Sequence, residues 1–233
     1  MSPADQTPTI DSPAELREAL RRDIASGEYA PGMKLIEREL TQRYGVGRTG
    51  IRDALRHLAA EGHVELTENR GARVSELSFA EALDMFQVRG VLEGLAGELF
   101  AVRGTATEKI EFAESLPPII EAIHRGDVAE VLAASDIYYA HLLRGARNAE
   151  LRESVERLHT RITQLRRISL STAEGSEQMI PTLQRIVNAV LSGDSNEARE
   201  ACIAHVKRSA SVTLPALAKQ HGSSVADVTT MQS

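Results

Sequence analysis

Arg48, Arg52 and Arg56 recur at four-residue spacing, with Thr49 beside the first of them. On a helix that spacing stacks the three guanidinium groups on one face, a turn apart. A guanidinium is planar, always charged and fork-shaped, so it can grip a phosphate or a guanine edge with two bonds. The N-terminus of such a helix adds unbonded backbone N–H groups and a partial positive charge, both favourable to a phosphate. From Thr41 to Arg52 the chain carries Arg43, Arg48 and Arg52 and no acid. The chemistry in question is nucleic-acid contact. Arginines alone do not separate a reading face from a solvated one; the surrounding elements must do that.

The stretch from Leu35 to Leu58 reads as two short helices around a tight turn at Tyr44-Gly45-Val46-Gly47. Leu35, Ile36 and Leu40 point the first helix toward a core, and Ile51, Ala54, Leu55 and Leu58 point the second, at three- and four-residue spacing. Two helices joined this way form a helix-turn-helix, whose second helix can enter a major groove. Upstream, a helix is expected from Pro13 or Ala14 to Ser26, with Leu16, Leu20 and Ile24 on one face and Gly27 ending it. Pro31-Gly32 is a turn signal. Downstream, Val64-Glu65-Leu66 and Val74 bracket an Asn69-Arg70-Gly71 tip, the pattern of a β-hairpin wing. Arg70 and Arg73 flank that tip and could reach a phosphate or a minor groove.

The 233-residue chain is 42% apolar, enough for a sizeable core, and its formal net charge is −6. Up to Ser75 there are 11 Lys and Arg against 12 Asp and Glu; beyond it there are 16 against 21. No global basic field exists, so DNA contact must come from local placement of arginines. The single cysteine, Cys202, excludes an internal disulfide and a cysteine-rich zinc module, and lies in an apolar helical pattern as a small core residue. No stretch has the ~20 uncharged apolar residues that span a bilayer. The N-terminus lacks the basic and apolar regions of a signal peptide, so a cytoplasmic location is expected.

Residues 1–12 and 221–233 read as polar tails. Between residues 76 and 220 every signal is helical. Ser78 with Glu81 is a capping-box pattern that opens a helix whose apolar stripe would be Met85, Val88, Leu92, Leu95 and Leu99. A second helix begins near Thr107 and should break at Pro117-Pro118, leaving a short piece from Ile119 to His124. Asp127 with Glu130 opens a helix through Val131, Leu132, Ile137 and Leu142. Another runs from about Glu150 to Leu170, rich in exposed arginine. Ser171 to Ser176 reads as a loop; a helix from about Glu177 to Leu191 follows, and after Gly193-Asp194 a last helix runs to about Leu217.

The order Gly27, Pro31-Gly32, Leu35, Glu37-Arg38, Leu40, Tyr44-Gly45-Val46-Gly47-Arg48-Thr49, Arg52-Asp53-Ala54-Leu55, Leu58, Glu61-Gly62, Asn69-Arg70-Gly71 resembles the DNA-binding domain of the GntR family of bacterial transcription regulators. The resemblance covers nearly all of residues 14–75. It implies a mainly α fold: a winged helix-turn-helix with a small β-hairpin wing (13–75), then an all-α bundle (76–220) for effector binding and dimerisation. The DNA-contacting residues it implies are Arg38, Arg48, Thr49 and Arg52, with Gly71 at the wing tip, to which the hairpin reading adds Arg70. The family usually has Ser where Gly47 stands and Pro where Gly50 stands. Gly47 loses a hydroxyl that could hold a phosphate.

The helical half resembles the ligand-sensing domain of the FadR-type subgroup, as do Arg89 with Glu93 and the two Gly-Asp turns at Gly126-Asp127 and Gly193-Asp194. Many relatives hold a divalent metal there with an Asp or Asn and three His, and the metal grips a carboxylate. Carried over by position, the acid falls on Ser135, with Asp136 next to it. The histidines fall on Tyr139, Leu183 and His205, and His141 lies two residues past its place. The ligand set is incomplete, so no metal site is assigned. The alternative is that the same cavity binds an organic acid directly, with Arg89 pairing with its carboxylate and Tyr139 and His205 donating hydrogen bonds. Each also has a plain reading: Arg89 and Glu93 as an intrahelical ion pair, Tyr139 as a core aromatic, His205 as a structural histidine.

The expectation is a sequence-specific transcription regulator, a repressor by the habit of relatives, acting as a homodimer on double-stranded operator DNA under control of a small-molecule effector. An enzyme would need a nucleophile–base pair or full metal set, and neither is visible. A nucleoid-type protein without an effector fits poorly with the acidic total charge.

Overall fold

The computed structural model describes residue 10 and residues 12–67, 71–170 and 173–220, and the chain forms two compact units, 1–76 and 77–233. In the first unit, helix α1 (Pro13–Ser26) is capped by Ser12, whose side chain accepts from the Glu15 N–H. A two-residue strand β1 (Lys34–Leu35) leads to α2 (Glu37–Tyr44), α3 (Arg48–Ala60) and the strands β2 (Val64–Thr67) and β3 (Gly71–Val74). Leu16, Leu20, Ile24, Leu40, Tyr44, Ile51, Leu55, Leu58 and Val74 bury one core between the helices and the sheet. Gly45 ends α2 at φ +67°, a left-handed conformation that costs a β-carbon dearly, and so lets α3 start three residues later.

Two details of this unit differ from the sequence pattern. Leu35 is not in the first helix; it pairs with Ala72 across β1 and β3, making a three-stranded antiparallel sheet of order β1-β3-β2 rather than a lone hairpin. A two-residue strand is too short to show alternation. Ile36 caps α2 from outside and is 47% exposed, so it does not belong to the core. The wing tip, including Arg70, lies outside the described residues.

The second unit is helical throughout its described residues: α4 (Phe79–Arg103), α5 (Ala106–Glu114), α6 (Leu116–Arg125), α7 (Val128–Gly145), α8 (Ala149–Leu170), α9 (Ala173–Glu177), α10 (Met179–Ser192) and α11 (Ser195–Gln220). Ser78 with Glu81 and Thr105 with Glu108 form full capping boxes, and Asp127 and Asp194 cap α7 and α11 by accepting from Glu130 and Glu197. Pro117 and Pro118 sit in the first turn of α6, where a missing N–H costs nothing, so they start a helix at Leu116 instead of interrupting one. The expected loop from Ser171 to Ser176 is helical from Ala173 on, within α9, and α11 continues through Pro215 to Gln220.

The largest departure concerns faces. In α4, Met85 of the expected stripe is buried and Leu92, Leu95 and Leu99 pack half-buried against the core, but Val88 is 47% exposed, and the most buried face also carries Ala82, Phe86, Arg89, Glu93, Gly97 and Phe100. The cause is α11, whose most extensive packing is on α4. A β-carbon on Gly97 would stand 2.7 Å from Cys202 Sγ and 2.8 Å from the Ala198 carbonyl. The two backbones approach so closely because α4 offers glycine, and that orientation carries Arg89 and Glu93 inside. Ile137 of α7 is likewise exposed, while its neighbours Tyr138 and Tyr139 are buried. Cys202 is fully buried, and burial pushes its thiol far above the ordinary range, leaving an inert core residue.

Candidate functional site

Helix α3 presents its N-terminal end to solvent. Arg48 is its first residue, Thr49 its second, and both are exposed, as is Arg38 on α2. Among the described residues neither Arg38 nor Arg48 has an ion-pair or hydrogen-bond partner. Arg52 is different. Its Nε donates to both carboxylate oxygens of Glu37, at 2.8 and 2.9 Å. That bond spends one donor and leaves the two terminal nitrogens, so Glu37 aims the fork instead of consuming it. Arg43 is turned away, paired with Glu28 and Asp23, and Arg73 is paired with Glu65. The acid-free run of sequence therefore receives acids from other elements at Arg43 and Arg52, while Arg48 stays unpaired among the described residues. Gly71 begins β3 at φ +83°, exposed, with open space where a β-carbon would stand.

The second candidate lies inside the helical unit, where α4, α7, α8, α10 and α11 contribute polar side chains to one place. Arg89 donates from Nε to Glu93 at 2.5 Å and from Nη2 to the Tyr139 hydroxyl at 3.5 Å. The Tyr139 hydroxyl is 2.9 Å from His205 Nε2, and His205 Nδ1 is 2.8 Å from the Thr182 hydroxyl. The chain of bonds fixes the imidazole tautomer. Thr182 donates its proton to the Met179 carbonyl at 2.7 Å, which can only accept, so Thr182 accepts from Nδ1–H. Nε2 is then the acceptor, and Tyr139 donates to it. Burial, reinforced by Arg89 and Arg166 against Glu93, holds the His205 pKa down to about 3, so the ring is neutral. Burial and the Glu93 charge push the Tyr139 hydroxyl up to about 12. Burial alone would keep Glu93 protonated, but Arg89 and Arg166 outweigh it and hold its carboxyl below the ordinary value.

Arg166 completes the cluster. It is 8% exposed, and its guanidinium carbon lies 3.7 Å from the centre of the Tyr139 ring, a cation–π contact. A cavity lined by Arg89, Arg166, Ser169, Thr182 and His205 among others opens beside the cluster.

The family model for bacterial regulatory proteins of the gntR family matches residues 14–74, and that for the FCD domain matches residues 84–208. The chain belongs to the GntR family. It is 28% identical over 212 residues, 90% of either chain, to the "Probable D-xylose utilization operon transcriptional repressor" of Paenarthrobacter nicotinovorans. Over 200 residues it is 24% identical to the HTH-type transcriptional repressor RspR of Escherichia coli K12, covering 86% of this chain and 88% of that one. Among solved structures, E. coli McbR/YncC superposes with a TM-score of 0.78 at 18% identity, covering 91% of this chain and all of that one. A GntR regulator from Rhodococcus sp. RHA1 gives 0.74 at 17% identity, over 86% and 96%. These two show the fold.

As a GntR protein with an FCD domain, the chain is a transcription regulator with a DNA-binding winged helix-turn-helix, not an enzyme. Among the described residues no helix is long and apolar enough to cross a membrane.

The metal expected of many such domains does not fit the residues present. Two of the histidine positions are Tyr139 and the fully buried Leu183. The third, His205, has both ring nitrogens engaged by hydroxyls. Asp136 faces Arg166 and His159, and His141 turns to Arg144 and Glu111. Asp136, His141 and His205 do not converge, and among the described residues no three His, Cys, Asp or Glu side chains group around a point. Arg89, Tyr139 and His205, by contrast, do meet. Arg166 and Thr182 escaped the sequence pattern. Arg166 follows Ile162 by four residues and precedes Ser169 and Leu170, so it stands on the buried face of α8 rather than on the exposed one expected for its arginines. That spacing was the available signal.

Proposed function

We propose that this GntR regulator is a FadR-type repressor that binds a two-fold operator as a homodimer in the cytoplasm. Residues 13–75 would form the reading head and residues 76–220 the effector-binding and dimerisation domain. The observation that carries the proposal is the exposed, positively charged start of α3, where Arg48 and Thr49 stand with the Glu37-aimed Arg52 a turn later. Arg38, Arg48, Thr49 and Arg52 contact the groove and its phosphates, with Arg70 and Gly71 at the wing. A small organic acid, bound by Arg89, Tyr139 and His205 without metal, shifts the dimer between two arrangements of its reading heads, so that differential binding changes DNA affinity.

The test is selection of duplexes from a random pool by the full-length protein, followed by fluorescence anisotropy on the selected site. A two-fold consensus with half-sites about one helical turn apart is expected. Arg48→Ala should weaken binding to it roughly ten- to a hundredfold, the loss of one bidentate contact. A pool that yields no consensus, or an Arg48→Ala protein that binds as wild type, removes the sequence-reading assignment.

A further inference from the structure

We propose that Arg166 is the principal anion-holding residue of the helical domain, standing in for a metal ion, and that the ligand it takes is a small monocarboxylate. The inference deepens the effector reading above and rests on it.

Arg166 has donors to spare. Its nearest acids are Asp136, 3.6 Å from Nη1, and Glu93, 3.9 Å from Nη2, both beyond hydrogen-bond range. Its Nε is buried without a hydrogen-bond partner among the described residues. Beside it, Arg89 Nη1, Glu93 Oε2 and Asp136 Oδ1 are orphaned in the same way. Native interiors leave few such atoms, and each carries a desolvation penalty, so their concentration at one place marks groups arranged for something other than one another.

Charge points the same way. The ionisable groups of this unit that are at least nine-tenths buried include two positive ones, Arg89 and Arg166, against one negative, Glu93, with His205 neutral. Asp136, 43% exposed at its side chain, answers Arg166 only in part and from a distance. One further negative charge would balance the interior. A carboxylate supplies that charge in a planar form that a guanidinium can grip at two points, and its second acceptor can take the free donor of Arg89. The Tyr139 ring under Arg166 and the Tyr139–His205–Thr182 relay keep both guanidiniums in register. A metal site would draw its positive charge from solution and lose it to a chelator or to histidine protonation; here the charge is covalent.

The experiment uses the full-length protein. Melting temperature and titration calorimetry are read with acetate, propionate, lactate and pyruvate, with inorganic phosphate and propionamide alongside, each with and without EDTA. At least one monocarboxylate should raise the melting temperature, indifferent to EDTA, with propionamide silent. Arg166→Met should lower that affinity roughly ten- to a hundredfold, while the unliganded variant melts no lower than wild type, because an uncompensated buried charge has been removed. Arg166→Lys keeps the charge without the fork and should fall between the two; it decides the matter if the methionine variant does not fold. Wild-type affinity in either variant overturns the assignment of Arg166 and leaves the effector reading standing. A wild-type response abolished by EDTA returns the role to a metal. Preference for phosphate refutes the ligand class. Silence of the wild type toward every acid, with operator binding intact, ends the effector reading itself and Arg166 with it.

Discussion

Both halves of this protein place arginine at their candidate sites, in opposite surroundings. In the first unit, Arg48 and Arg52 stand in water, and the acid that pairs with Arg52, Glu37, is itself more than a third exposed. Such a pair contributes little to stability and can be exchanged for a phosphate or base at small cost. In the helical domain, Arg89 is 1% exposed and Arg166 is 8% exposed. There a charge without its partner is expensive, so the arrangement of partners is tight and a change of occupant has large consequences. The surface charges suit a site that must release its partner and reform; the buried ones suit a site that senses whether one anion is present.

The comparison is sharpest at Glu93. Glu93→Ala leaves Arg89 and Arg166 facing each other in the interior and should destabilise the helical domain by about 3–5 kcal/mol, read by urea unfolding. A loss under 1 kcal/mol would mean that solvent reaches the cluster and that the contrast between the halves is overstated.

His205 offers a second, pH-dependent break. Its folded pKa of about 3 lies below the ordinary 6.5, so the unfolded chain takes up the extra proton and stability is lost as pH falls from about 6.5 toward 3. The charged groups facing it are Arg89, Glu93 and Arg166. Thermal melts of His205→Asn should show a shallower decline over that window than wild type. Between pH 5.5 and 8 carboxylate affinity should be flat, whereas histidine-held metal would titrate there.

On the reading head the effects should be smaller and should appear in binding rather than folding. Glu37→Gln frees Arg52 and removes a negative charge, so affinity for random duplex should rise several-fold and the ratio of specific to random binding should fall, with the melting temperature nearly unchanged. A fall in affinity for the selected site alone would show that Glu37 matters mainly for aiming. Smallest of all, Gly47→Ser should stabilise the first unit by a few tenths of a kcal/mol. Gly47 caps α3 at φ −63° with no side-chain bond, and nothing stands within 4 Å of where its β-carbon would be. The same change restores a hydroxyl at the N-terminal end of α3.

Much of this was legible in the chain. The cap residues Ser78, Asp127 and Asp194, the helix-ending Gly27, Gly45 and Gly193, and the apolar spacing of Ile51, Ala54, Leu55 and Leu58 are local signals, and each element they mark is present. What could not be read was which partner an element meets. Val88 and Ile137 looked like core and are exposed; for Val88 the reason is that α11 closes on the face of α4 that carries Gly94 and Gly97, which leaves Val88 outside the contact. Leu35 looked helical and is a strand residue, because β3 pairs with it from 37 positions downstream.

By itself, the sequence determined a winged helix-turn-helix followed by a helical bundle, since helix periodicity, caps and turns depend on residues within a few positions of one another. It also named Arg89, Tyr139 and His205. Only the tertiary structure decided that they touch, that Thr182 orders the His205 tautomer, and that Arg166 stands over Tyr139 where α8 crosses α7. Burial and charge balance are sums over neighbours brought together by packing, and no local pattern contains them.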